Sequence, residues 1–521
     1  MPGLRDLIRL ALRRDRVFLP AWLGFLAFAV VITGSSYKDL YTTPQSRAEV
    51  VHGLGDTPAT LALYGRIYAD SVGGLVAWRL GGISLALVGL MSILIVVRHT
   101  RADEESGRAE LIGAGVVDRR APLTAALLVA AAANVVLGVI VAAALAALGI
   151  GVAGSIAVGV MFAGSGLMFA AVAAVAGQLA VFARSATAIA GTVLAAAYLI
   201  RAIGDAGPHW LSWLSPLGWM QQLRPFASER WWVLGLALAL IVPLLWTAFA
   251  ILQRRDLGGG VIAPTPGPAR GDLASPLQLA WRLQRGALAG WALGFAIVGL
   301  ALGSIAHDIG NVIGDSESVR KAIRDLGGSS NLSDAYLATS MTVFGLIAAL
   351  YAVQAVLRLR AEETAGHTEM LLATGVSRAR WVLSHVAIAA AGTVVLLVAA
   401  GLPAGLIYAA QTSDAGQIGR VLAGALVQVP AAWVLGGVAL AIFGFAPRAG
   451  AAAWGAVALC VLIGEIGPVA DVGDWLLDIS PFTHVPLLPG GEMSAAPLVL
   501  AAIAAGMGAA GMAAFRRRDA G

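Results

Sequence analysis

Charged residues are scarce in this chain of 521 residues: Asp, Glu, Lys and Arg make up 12%, whereas 59% of the residues are hydrophobic. A soluble domain carries about 25% charged residues, because charge keeps its surface dissolved. A compact fold could not hide this much apolar surface, and a disordered chain needs the opposite composition. The shortage of charge therefore excludes a soluble enzyme and predicts an all-α polytopic membrane protein.

Cysteine and lysine are almost absent. Cys460 is the single cysteine, which excludes disulfides and cysteine-based metal sites within the chain. Lys38 and Lys321 are the two lysines, and neither stands in the Gly-Lys-Ser/Thr loop that cradles nucleotide phosphates. The histidines lack metal-ligand spacing. We therefore predict no catalytic residue, no metal site and no cofactor in this chain, which is not itself an enzyme.

The formal charge of +5 does not indicate a nucleic-acid partner, because the basic residues are spread over many short loops. Long apolar runs are abundant instead, and a helix needs about 20 such residues to cross a bilayer. Small residues such as Gly138 and Gly159 suit close helix packing in lipid. We predict twelve spans near 17–36, 73–97, 121–149, 152–181, 185–204, 232–252, 287–306, 338–357, 381–409, 421–445, 449–467 and 495–515.

Most Lys and Arg residues fall in alternate loops, together with both chain ends. The positive-inside rule then predicts a multi-pass membrane protein with cytoplasmic N and C termini. The first run could be a signal peptide, but no clear cleavage site follows, so we favour a retained span. Residues 4–14 alternate apolar residues with arginines, which predicts a helix in the cytoplasmic membrane interface.

Two parts of the sequence repeat. The segment 101–110 resembles 360–369, 259 residues later, and Trp210 and Ser215-Pro216 match Trp475 and Ser480-Pro481. The same order of landmarks twice predicts two parallel six-helix halves. The halves are 1–252 and 287–521, and the Gly- and Pro-rich residues 253–286 form a cytoplasmic linker.

The repeated loop carries charges in a fixed pattern. Gly107 and Gly366 permit a break before a short helix, and beyond the break Glu110 and Glu369 stand beside apolar residues. A short amphipathic helix with fixed charges suits docking of a soluble partner. The alternative is a solvated loop whose arginines only set the topology, but its presence in both halves favours the partner interface.

Glu-x-x-Gly-Arg-x-Glu-Leu at 104–111 and Glu-x-x-Gly-His-x-Glu-Met at 363–370 resemble the signature of ABC-2-type permeases. The chain is similar to the fused twelve-span permeases of the tetronasin-type exporters of polyketide antibiotics. The resemblance implies a type V exporter-like fold in the bacterial inner membrane. It also implies that the protein moves hydrophobic or amphiphilic compounds out of the cell, driven by a separate ATPase dimer that binds ATP and Mg²⁺. It also implies an ATPase interface formed by Glu104, Gly107, Arg108, Glu110, Glu363, Gly366, His367 and Glu369.

Charged residues inside spans are costly and often functional. Arg201 lies near the outer end of the fifth predicted span and Glu465 near the outer end of the eleventh, and we place no other acidic residue within an apolar run. Either the two form an ion pair that closes the outer end of the path, or each extends to the interface. The segments 205–231 and 468–494 nearby are too polar to cross, and the resemblance implies re-entrant hairpins there, with a plain surface loop as the alternative.

A second class of function stays open at this point. An ion-coupled secondary transporter also commonly has six plus six parallel spans. Proton coupling normally requires carboxylates or histidines within the membrane, and the spans offer essentially Glu465 and His385. The composition therefore favours the ATP-driven exporter over the carrier, and over a membrane signalling or assembly role.

Overall fold

A computed structural model describes residues 1–53, 58–256, 258–262, 271, 273–312, 332–466 and 474–518. The chain divides into two compact units, Met1–Gly267 and Pro268–Gly521. Both units are built from helices, and the described residues contain no strand. This is the all-α fold that the composition predicts, because a helix satisfies every backbone hydrogen bond without help from water.

The first unit begins with a short amphipathic helix and continues with long apolar ones. A hydrophobic core of Leu, Val, Ala and Phe side chains joins them. The helices are α1 (Leu4–Arg14), α2 (Phe18–Leu40), α3 (Pro44–Gly53), α4 (Pro58–Tyr64), α5 (Val72–Leu80), α6 (Ile83–Arg98), α7 (Arg101–Glu105), α8 (Arg108–Gly113), α9 (Ala121–Ala147), α10 (Val152–Leu179), α11 (Ala183–Ala206), α12 (Pro216–Gln221) and α13 (Val233–Arg254).

The second unit is likewise built from long apolar helices around a core of its own. Its first helix, of 37 residues, begins inside the predicted linker 253–286, so the last part of that segment is helical. The helices are α14 (Pro276–Val312), α15 (Leu332–Thr364), α16 (His367–Leu372), α17 (Arg378–Thr412), α18 (Gly416–Leu426), α19 (Val429–Phe445), α20 (Ala451–Ile466), α21 (Asp474–Leu477) and α22 (Ala496–Arg517).

Eleven helices of the described residues are long and apolar enough to cross a membrane, one fewer than the twelve predicted spans. The predicted span 449–467 is the difference. There the structure has α20, a helix of 16 residues, which at 1.5 Å per residue is about 24 Å long. The described part of this helix is therefore shorter than the hydrocarbon thickness of about 30 Å, and the residues that follow Ile466 lie outside the described part of the chain.

The second predicted span, 73–97, is interrupted. Gly81 and Gly82 separate α5 from α6, and a Cβ placed on Gly82 would lie 2.0 Å from the carbonyl oxygen of Leu63. The chain of α4 therefore passes too close for any side chain at this position. In the second unit the corresponding helix, α15, continues without a break.

Small residues bring α9 and α10 into close contact. A Cβ on Gly138 would lie 2.7 Å from the carbonyl oxygen of Gly159, and one on Gly159 would lie 2.3 Å from that of Gly138. Such close backbone approach is how helices associate in lipid, where hydrophobic burial gives no preference. The interface thus follows from the glycine content of these two runs.

Candidate functional site

Both units contain the helix break that the repeated motif predicts. In the first unit, Gly107 separates α7 from α8 with a φ of 73°. In the second, Gly366 separates α15 from α16 with a φ of 75°. A Cβ on either glycine would meet no atom within 4 Å, so glycine is required here for its backbone angle and not for space.

The first glutamate of each motif is turned into its own unit. The Glu104 carboxylate binds Arg101 and Arg255, with 2.8 Å between Arg255 Nη1 and Glu104 Oε2. Arg255 directly follows α13, the last helix of the unit. The Glu104 side chain is 11% exposed. Glu104 was expected on the ATPase interface, whereas the structure places it in an internal ion-pair cluster.

The second unit repeats this cluster. Glu363 Oε2 accepts a hydrogen bond from Arg360 at 2.9 Å, and Glu363 Oε1 accepts one from Arg518 at 2.7 Å. Arg518 directly follows α22, the last helix. The Glu363 side chain is 4% exposed, so it too faces its own unit and not the surface. We call Arg255 and Arg518 the cap arginines.

A second contact joins each loop to its cap arginine. Arg119, beyond α8, donates a hydrogen bond to the carbonyl oxygen of Arg255. Arg378, beyond α16, donates one to the carbonyl oxygen of Arg518 at 2.5 Å. Both ends of the short helix are therefore fixed to the end of the last helix of the same unit.

The residue after each break makes an equivalent local contact. Arg108 Nε lies 3.0 Å from Asp103 Oδ1, and His367 Nδ1 lies 2.8 Å from Glu362 Oε2. Each side chain therefore contacts a carboxylate five positions earlier, across the break. Both side chains are half exposed, so they remain at the surface while they fix the angle of the break.

The far side of each short helix is free. Glu110 and Glu369 are exposed, and the described part of the chain gives neither an ion pair. Beside them Leu111 is 79% exposed and Met370 is 65% exposed. A carboxylate next to a bare apolar side chain, on a helix anchored at both ends, is what a docking surface requires. We call these four residues the docking faces.

The N-terminal helix α1 is joined to the same loop. Asp15, at its C-terminal end, is fully buried and lies 3.1 Å from Arg98 Nε and 2.5 Å from His99 Nε2. Arg14 Nη1 lies 2.7 Å from Asp103 Oδ2. The sequence pattern predicted an interfacial role for α1 from its arginines, but it did not single out Asp15. The available signal was an acidic residue among arginines at the end of the helix.

Arg201 lies at the far end of α11 and is 1% exposed. Its Nη1 lies 3.6 Å from Asp205 Oδ2, one turn later, and its guanidinium stacks on the Tyr198 ring at 4.4 Å. Asp205, 3% exposed, corrects the expectation that no other acidic residue lies in an apolar run. The side chain of the other predicted gate residue, Glu465, lies outside the described residues.

The segment 205–231 folds back against its own unit. Ser215 Oγ donates a hydrogen bond to the carbonyl oxygen of Ala197 at 2.7 Å, and Gln221 Nε2 donates one to that of Gly81 at 2.7 Å. Burial lowers the pKa of His209 below its usual value, with Arg66 as a second cause. In the second unit, residues 467–473 lie outside the described residues, as do 315–327 and most of the Pro-rich segment after Gly258.

Among the described residues, no three His, Cys, Asp or Glu side chains are grouped so as to hold a metal ion.

The fold and the loops define an all-helical, multi-pass membrane protein with two anchored copies of one short helix. A family model described as the C-terminal domain of the multidrug efflux system permease Rv1217c matches residues 273–516. The multidrug efflux system permease protein Rv1217c of Mycobacterium tuberculosis is 44% identical over 522 residues, which covers 99% of this chain and 95% of that protein. The chain belongs to the family of this permease.

Proposed function

We propose that this chain is the membrane-spanning permease subunit of an ATP-driven ABC exporter that moves hydrophobic or amphiphilic compounds out of the cell. The observation that carries the proposal is the pair of docking faces, each anchored by a buried ion-pair cluster. The relation to a multidrug efflux permease along 99% of the chain supports it. We also propose that the chain belongs with the tetronasin-type exporters of antibiotic-like compounds among the ABC-2 permeases, a proposal that the resemblance of the motifs at 104–111 and 363–370 supports.

The partner that we propose is a separate ATPase subunit in two copies, one for each docking face. ATP and Mg²⁺ would be bound there, because the two lysines of this chain stand outside any phosphate-cradling loop. Glu110 and Glu369 supply the charge, and Leu111 and Met370 supply the apolar contact. The chain itself would then transmit the ATPase movement and hold no nucleotide.

The orientation that we propose is cytoplasmic N and C termini in the bacterial inner membrane. The excess of arginine in the loops with the docking faces supports it. The contacts of the first unit agree, since α1, the loop after α6 and the end of α13 meet through Asp15, Arg98 and Arg255. Three segments that the charge pattern assigns to one side thus lie at one end of that unit.

The experiment that tests the docking faces reverses their charge. We expect the double variant Glu110→Lys and Glu369→Lys, isolated from native membranes, to retain about tenfold less co-purified ATPase than the parent chain. Substrate-stimulated ATP hydrolysis should fall in parallel, and the chain stripped of its partner should hydrolyse no ATP.

Glu492→Lys is the matched control, because Glu492 is exposed but lies outside both docking faces. It should leave the co-purified ATPase unchanged. Parental amounts of ATPase on the double variant, with stimulated hydrolysis intact, would show that the partner docks elsewhere.

The outer gate formed by Arg201 and Glu465 remains a separate proposal. If the two form an ion pair, Glu465→Gln should reduce dye efflux from cells, and exchange of the two charges should partly restore it. Asp205→Asn distinguishes the alternative, since Arg201 already has this carboxylate within 3.6 Å. If Glu465→Gln exports the dye normally and Asp205→Asn loses efflux, the partner of Arg201 is Asp205 and not Glu465.

A further inference from the structure

The two units fill the space beside their cap arginines differently. In the second unit four ring side chains occupy it, and each is at most 2% exposed. The ring centroids of Trp381 and Phe515 lie 5.6 Å apart, and those of Phe443 and Phe515 lie 5.2 Å apart. His385 packs on Trp381 at 5.9 Å. Aromatic packing therefore closes this region of the second unit.

The first unit has small or flexible residues at the corresponding positions. The corresponding positions on α9 and α13 are found by counting along the chain from matched arginines. Arg119 and Arg378 are the starting points for α9, and the cap arginines are the starting points for α13. The position on α10 follows from contact: Gln178 Oε1 accepts a hydrogen bond from Arg255 at 2.7 Å, whereas the Phe443 ring lies under Arg518 at 4.9 Å. The pairs are Pro122 with Trp381, Ala126 with His385, Gln178 with Phe443, and Leu252 with Phe515.

These four residues of the first unit all line one cavity of about 360 Å³. Its other walls come from α1, α7 and α8 and from the loops that follow α6 and α8. Cavities of about 300–1,000 Å³ with mostly apolar walls and a few polar groups are typical of small-molecule sites. Because the second unit fills the equivalent space with its own rings, an aromatic ring system is the shape that fits.

The cavity walls carry more negative than positive charge. Four carboxylates and three guanidiniums line it. Asp103 and Glu104 are neutralised by arginines, as described above. Asp118 and Asp256 have no ion pair within the described residues, and Asp118 accepts only the Arg120 backbone N–H, at 2.8 Å. At the Asp118 position the second unit has Ser377, so the carboxylate belongs to the open unit alone.

We propose that this cavity of the first unit binds a small aromatic cation. The ring system would occupy the space that Trp381, His385 and Phe515 fill in the other unit, and the positive charge would lie at Asp118 and Asp256. The site is built into one unit only, so the chain would hold one such molecule. Binding requires neither ATP nor a partner, and the proposal is therefore independent of the transport function.

The test uses the full chain in lipid nanodiscs and fluorescence anisotropy of ethidium, an aromatic cation. Ala126→His with Leu252→Phe introduces two residues of the filled unit, and we expect it to weaken ethidium binding by at least about tenfold. Leu252→Phe alone serves where the double variant folds poorly. Asp118→Ser should weaken ethidium about three- to tenfold while 6-phenylphenanthridine, a neutral analogue, binds as before.

The matched controls are Leu128→Phe and Asp6→Ser. Leu128 lies on α9, as Ala126 does, but is 46% exposed, and Asp6 lies on α1 outside the cavity. Both should bind ethidium as the parent chain does. Absence of ethidium binding, or equal binding by the filled variants, would overturn the site. An ethidium affinity that Asp118→Ser leaves unchanged would overturn the assignment of a cationic ligand.

Discussion

At the residue scale, burial distinguishes the two glutamates of each motif, which look equivalent in the sequence. Glu104 and Glu110 stand six positions apart in one motif, yet Glu104 is held between two arginines and Glu110 is exposed. Glu363 and Glu369 divide in the same way. Each motif therefore contains one glutamate that is held inside its unit and one that is exposed, and we expect the exposed one to meet the proposed partner.

This division predicts different stabilities for matched variants. Glu104→Gln leaves Arg101 and Arg255 without a counter-charge, although their side chains are only 1% and 6% exposed. Breaking a buried pair in this way costs about 3–5 kcal/mol, so thermal unfolding of the purified chain should begin at a clearly lower temperature. Glu110→Gln, the control, should change stability by less than about 0.5 kcal/mol. Equal unfolding temperatures for the two variants would refute the anchor.

At the element scale, each short helix owes its direction to one glycine with a positive φ. Gly107→Ala forces an alanine into the left-handed region, at a cost of about 1–2 kcal/mol. We expect the break to straighten and the co-purified ATPase to fall, while the rest of the unit stays folded. The measurement is the ATPase retained per chain.

Two variants separate the backbone angle from the loss of glycine itself. Gly107→Asn should retain most of the ATPase, because asparagine tolerates the left-handed region. Gly113→Ala should have no effect, since a Cβ there meets no atom within 4 Å and its φ is ordinary. Loss of the ATPase in all three variants would show that the angle at Gly107 is not what matters.

At the scale of the whole molecule, the orientation of the chain is open to direct labelling. Cys460 is buried at 4% exposure, so a Cys460→Ser chain offers a clean background for single cysteines. In intact cells an impermeant maleimide should label Trp210→Cys, whose parent residue is 64% exposed, but not Leu111→Cys, whose parent is 79% exposed. Permeabilised cells should show both labels. The reverse pattern in intact cells would place the docking faces outside.

Sequence alone was sufficient for the membrane class, the two repeats and the helix breaks at Gly107 and Gly366, but not for the break between α5 and α6. These follow from local properties: apolar length sets the spans, and glycine sets the angle at Gly107 and Gly366. The predicted span 449–467 stays a prediction, because α20 reaches Ile466, the last described residue before a gap, and its 16 residues are the described part of the helix only.

Only the tertiary structure decided which polar groups meet. Glu104 with Arg255, Asp15 with His99 and Glu363 with Arg518 join residues 84 to 155 positions apart, and no local pattern encodes such pairings. The cavity of the first unit has the same origin. Its residues come from six helices and the segments that connect them, and an empty space between side chains leaves no trace along the chain.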